Sequence, residues 1–188
     1  MAPLIKKVKE YPDLKPIICV FRQHRTTLDQ VLDEFGIKPD FDFGISISDK
    51  QFLGKGLSVF LKAKSLFSTA FGLLNFIRLL KREKPNLLIV QGDTSTVFLA
   101  AFIAFHFKIK IAHIEAGLRT HDKYAPFPEE MNRQLLARLA DFHFAATESA
   151  RQNLLNEGIR ENIWVTGNTV IDAVRIIIER GNKNDFFL

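Results

Sequence analysis

Short apolar runs alternate with stretches of helical period along almost the whole chain, and that alternation leaves few folds open. Leu87-Leu88-Ile89-Val90, Lys110 to Ile114, Phe142 to Ala145 and Ile163 to Val165 are compact runs of apolar, β-branched and aromatic side chains. Each is followed by a segment read as a helix: Thr94 to Phe107, 128–140, Thr147 to Asn156 and Asn168 to Glu179. Continuous apolar strands fit a sheet covered on both faces. Strands alternating with helices predict an α/β fold with a parallel, doubly wound sheet. Upstream, residues 1–10 read as the end of a helix and Pro16 to Val20 as a short strand. His24 to Phe35 reads as a helix with Leu28, Val31, Leu32 and Phe35 on one face and Gly36 closing it. Alternating Phe41, Phe43, Ile45 and Ile47 suggest an edge strand within Lys38 to Ser48. A long helix, interrupted at Gly72, is expected from about Gly56 to Arg82.

The chain has 188 residues, 47% of them hydrophobic and 25% charged, which suits one globular domain or one domain plus part of another. Its charge-free apolar runs, Ser65 to Ile77 among them, fall short of the roughly 20 residues that cross a bilayer. The opening Met1-Ala2-Pro3-Leu4 carries no secretory apolar core. One cysteine, Cys19, allows neither an internal disulfide nor a multi-cysteine metal site. A cytoplasmic location is therefore expected. Between Lys50 and Lys84, eight basic residues face one acid, Glu83, a net +7 within a whole-chain charge of +5. The plain reading is a solvated helix face. The sharper one is a weak contact of helix 56–82 with anionic lipid or an acidic partner. Nucleic acid is not expected, since no basic motif is interleaved with aromatics.

Three acids stand in telling places. Asp93 follows the run 87–90, Glu115 follows 111–114, and Glu129 follows Pro126-Phe127-Pro128. Open α/β sheets place their chemistry at the carboxyl ends of strands, where gathered carboxylates can act as acids and bases. Each also has an ordinary explanation. Asp93 could cap the next helix. Glu129 and Glu130 could answer a helix dipole, and Arg133 could pair with Glu129 one turn earlier. His113 alternates with Glu115 and could equally be a core histidine. Glu115 is harder to dismiss, because it ends an apolar strand and enters a glycine-containing turn. No Walker-type phosphate loop is present, His113-x-Glu115 lacks the cysteines of a zinc deaminase, and the histidines lack close metal-ligand spacing. No metal is expected.

Taken together, Gly92-Asp93-Thr94, Glu115 to Thr120, Pro128 to Arg133 and Gly167 to Asp172 resemble the ordered motifs of the non-hydrolysing UDP-N-acetylglucosamine 2-epimerases. Gln23-His24-Arg25 with Leu28 to Leu32, and Thr147 to Leu155, match further segments of that family. The resemblance covers about residues 1–48 and 84–175. It implies a two-domain fold of GT-B type, with an active site between two Rossmann-like halves. It implies inversion at C2 of the sugar by elimination and re-addition of UDP, with no cofactor. Asp93, Glu115 and Glu129 match the family's catalytic acids. Arg133 would fix charge on the substrate or on a carboxylate, Gln23 and His24 match positions that line the nucleotide-sugar cleft, and His113 is counted with them as substrate-binding. Homodimers, and a supply of precursors for envelope polysaccharide, are the family expectation. A hydrolysing 2-epimerase and a non-catalytic interaction module are the alternatives.

Against that pattern the chain opens inside the helix after the family's first strand and its Gly-Thr-Arg-Pro-Glu loop, and residues 49–83 match poorly. Residues 1–175 are assigned to the first Rossmann-like domain and 176–188 to the connection beyond it. With half the cleft outside this sequence, the polypeptide alone is expected to lack turnover.

Overall fold

The computed structural model describes residues 1–21, 25–44 and 70–181, with the side chains of 25–27 and 180 left aside. Gln23, His24, the end of the expected edge strand and most of helix 56–82 lie outside the described residues. The chain divides into two compact units, one of Leu4–Glu83 with Ala2, the other of Lys84–Leu188 with Met1 and Pro3.

The first unit holds α1 (Ala2–Val8), β1 (Cys19–Val20), α2 (Arg25–Glu34), β2 (Phe41–Asp42) and the helix α3 at residues 70–83. β1 and β2 are parallel, with Cys19 opposite Phe41 and Val20 opposite Asp42. The strand expected from Pro16 is shorter because the Asp40 carboxylate, not a neighbouring strand, accepts the Ile18 N–H at 2.7 Å. Gly36 ends α2 as anticipated. It sits at φ +61, its own N–H bonds the Asp33 carbonyl, and Ile37 N–H reaches back to the Leu32 carbonyl. The core here is aromatic: Phe43 packs against Phe21 and Phe76 at centroid distances of 5.0 and 5.7 Å, and Phe76 is buried.

The second unit holds β3 (Leu87–Gln91), α4 (Ser95–His106), β4 (Lys110–Ala116), α5 (Glu129–Leu139), β5 (Phe142–Ala145), α6 (Glu148–Asn156), β6 (Ile163–Val165) and α7 (Thr169–Gly181). Its four strands are parallel in the order β3-β4-β5-β6. The expected parallel α/β architecture is thus present, with its strands in two sheets. β4 is buried along most of its length, and Ile111, Ala112, Ile114 and Ala116 make it the spine of the core. Ala116, Ala137 and Leu154 bring β4, α5 and α6 together, with Ile159 and Ile163 against them. Among the described residues no helix is long and apolar enough to cross a membrane.

Candidate active site

Every strand of the second unit runs the same way, so the turns after β3 and β4 open at one end of the sheet. Three expected carboxylates belong to this end, and they are held there by different means.

The first turn is built around Gly92, at φ +82, whose N–H donates to the Ile114 carbonyl of β4 at 3.2 Å. His113 holds the same residue from below: its Nε2–H donates to the Gly92 carbonyl at 3.0 Å. His113 is 1% exposed, and burial pushes its pKa down to about 4, so the ring is neutral near pH 7. It sits beneath the turn that carries Asp93. Asp93 is not the helix cap. Thr94 takes that place, its Oγ1 accepting the Val97 N–H at 3.4 Å, which leaves the Asp93 carboxylate free for another partner.

That partner is Arg133. Its Nε donates to Asp93 Oδ2 at 2.8 Å, and a second guanidinium nitrogen lies 2.6 Å from the same oxygen. The remaining arm reaches Glu130 Oε2 at 3.1 Å. Arg133 therefore turns to Asp93 and Glu130, not to Glu129 four residues earlier, because Glu130 is fully buried and needs a counter-charge. Asn132 fastens the same turn from α5, donating through Nδ2 to the Asp93 carbonyl at 2.8 Å. Glu129 is the first residue of α5, half-buried, one helical turn before Arg133.

Glu115 ends β4 in a conformation few residues adopt. Its φ is +66, and the β4–β5 register slips between Ile114 and Ala116, so Glu115 is the extra residue of a bulge. A left-handed non-glycine residue costs about 1–3 kcal/mol and persists only where its surroundings impose it. The bulge sets the Glu115 carboxylate beside Gln91, whose Nε2 donates to Oε1 at 2.7 Å and lies 3.4 Å from Thr169 Oγ1. The ends of β3, β4 and the start of α7 thereby share one polar cluster.

The loop that follows is pinned hard. Gly117, at φ +84, packs so closely on α6 that a Cβ would meet the Ala150 carbonyl oxygen at 2.1 Å. Asn153 donates to the Gly117 carbonyl at 3.0 Å. The Arg119 guanidinium is shut away from solvent and grips Glu157 with two bonds of 2.6 and 2.7 Å.

The structure thus joins Asp93 to Arg133 directly, joins Glu115 to the end of β3 through Gln91, and places Glu129 on the helix that delivers Arg133. Gln23 and His24 lie outside the described residues. Sequence reasoning gave Gln91 and Asn132 no role and read Glu130 only as an acid answering the helix dipole. Only their place inside the motif words could have drawn attention to them. Among the described residues no group of three His, Cys, Asp or Glu side chains could hold a metal.

Carboxylates thus gather at the carboxyl ends of parallel strands in an α/β domain, one of them ion-paired and one on a strained bulge. Comparison makes the class specific. The family model for UDP-N-acetylglucosamine 2-epimerase matches residues 6–185, and the chain belongs to that family. It is 44% identical over 182 residues to the UDP-N-acetylglucosamine 2-epimerase of Bacillus subtilis, covering 96% of this chain and 44% of that protein. A crystal structure of UDP-GlcNAc 2-epimerase from Neisseria meningitidis, bound to UDP-GlcNAc, superposes with a TM-score of 0.80 at 40% identity, over 97% of this chain and 46% of that one. The enzyme from Methanocaldococcus jannaschii, in complex with UDP-GlcNAc and UDP, gives 0.79 at 33% identity over 98% and 47%. The chain spans about half the length of the relatives it matches. Its Rossmann-like α/β fold corresponds to about half of their GT-B type architecture.

Proposed function

We propose that this domain supplies the carboxylate side of an active site that interconverts UDP-N-acetylglucosamine and UDP-N-acetylmannosamine, without hydrolysis and without a redox cofactor. The observation that carries the reading is the Asp93–Arg133 pair and the bulged Glu115 at the same end of one parallel sheet, in a family two of whose solved members hold UDP-GlcNAc. The C2–H of the sugar has no neighbouring carbonyl and is a very weak acid. Removing it needs a positioned carboxylate base and a leaving group that departs with the C1–O electron pair. UDP is that leaving group. Its return, with protonation on the opposite face of C2, completes the inversion with no net oxidation. Asp93, Glu115 and Glu129 share the proton transfers and the balance of charge. A cytoplasmic setting and a role in supplying envelope polysaccharide belong to the same proposal, which rests there on the resemblance alone.

The polypeptide by itself is expected to show no turnover, because the relatives that bind UDP-GlcNAc are twice its length. The test is a chimera in which this chain replaces the matching stretch of the Bacillus subtilis relative. Incubated with UDP-N-acetylglucosamine in D2O, the chimera should form UDP-N-acetylmannosamine with deuterium at C2. Glu115→Gln in the chimera should slow this by about 10²–10⁴. A folded chimera without turnover sinks the assignment, and product from the isolated chain sinks the claim of inactivity.

A further inference from the structure

One buried acid has no part in the reaction as outlined. Glu130 is 0% exposed, yet it lies in the first turn of α5, where a dipole alone would favour an acid left in water. A carboxylate this deep must be fully partnered. Its Oε2 accepts from the Thr120 N–H and from Arg133 Nη1, both at 3.1 Å, and its Oε1 accepts from Gln134 at 3.3 Å. Burial pushes its pKa up, but these bonds, with that from the His121 N–H, outweigh it and hold the carboxyl ionised. The three arms of the Arg133 guanidinium are divided: Nε and one terminal nitrogen serve Asp93, and the other terminal nitrogen serves Glu130.

A guanidinium is planar and rigid, so fixing one arm fixes the direction of the others. We propose that Glu130 is a positioning residue: it orients Arg133, and through Arg133 the carboxylate of Asp93. The group on α5 that touches the loop at Thr120 thereby sets the geometry of an acid on the β3–α4 turn. The importance of this for turnover rests on the epimerase reading. The linkage itself does not.

The arms of Arg133 let the linkage be read without turnover. In the full chain labelled with ¹⁵N-arginine, the Arg133 Nε–H reports its bond to Asp93, whereas the substitution is made at the opposite arm. Glu130→Gln keeps an oxygen for the Thr120 N–H and removes the charge that holds Arg133. The Arg133 Nε–H should then exchange with solvent about tenfold faster or more. The Arg119 Nε–H, held by Glu157, should stay protected, which a general loosening of the fold would not allow. Glu130→Asp, which restores the charge at shorter reach, should recover part of the protection. Unchanged Arg133 exchange in Glu130→Gln overturns the proposal. So does loss of Arg119 and Arg133 protection together in both variants, or failure of both to fold, since Glu130 would then serve the fold generally. If the NMR result holds and the chimera lacks activity, the epimerase reading fails and the linkage stands.

Discussion

At the scale of single residues, two positions show how tightly this end of the sheet is drawn. Gly117 has no room for a methyl group and a φ that disfavours one. Gly117→Ala should lower stability by about 3 kcal/mol or more, from the left-handed backbone and the clash together, read as a shift in urea midpoint. His113 acts through pH. Its folded pKa of about 4 lies below the ordinary 6.5, so the unfolded chain binds the proton first as pH falls. Its contribution is complete above pH 6.5 and is lost between about 6.5 and about 4. The loss is on the order of 3 kcal/mol across that window. His143, also lowered by burial, acts in the same direction. Urea midpoints at pH 7 and pH 5 should differ less in His113→Gln than in the unaltered chain. An equal difference would remove His113 from the account.

At the scale of elements, the parts that sequence made legible are those fixed by local pattern. The strands at Phe142–Ala145 and Ile163–Val165 fall where their apolar runs do, and α6 follows Thr147, whose Oγ1 accepts the Ala150 N–H at 3.2 Å. β4 ran two residues past its apolar core, because a bulge at Glu115 keeps Ala116 in the ladder, and no periodicity announces a bulge. The motif words marked Asp93 and Arg133. That Thr94 caps α4, and that Arg133 prefers Glu130, depend on contacts between separated elements and on burial, neither of which spacing encodes. The β4–α5 loop depends on a third element, α6, for its anchor. Arg119 reaches Glu157 just beyond the end of α6, so Glu157→Ala would leave a buried guanidinium without its counter-charge. That should cost about 3–5 kcal/mol, and hydrogen exchange of residues 117–120 should rise with it. A variant within about 0.5 kcal/mol of the unaltered chain would show that Gly117, Asn153 and the Thr120–Glu130 bond hold the loop without Arg119.

At the scale of the whole molecule, a parallel sheet explains why acids scattered across forty residues of sequence serve one end of a domain. It also leaves one surface unaccounted for. Along α7, Val170, Ile171, Val174, Ile177 and Ile178 recur at helical spacing, and all are about half exposed. Beside them in sequence, Trp164 and Val165 of β6 are exposed to a similar degree. Isolated apolar side chains at a surface are ordinary, but a contiguous stripe is costly in water and marks a face disposed to bind. The full chain at micromolar concentration should therefore enhance the fluorescence of an apolar dye while natively folded. Ile171→Glu with Ile178→Glu should remove most of that signal and leave the circular dichroism unchanged, because neither side chain is part of the buried core. If the dye signal survives the double substitution, the exposed apolar surface lies elsewhere. If the helix signal falls with it, these isoleucines are holding α7 in place rather than presenting a free face.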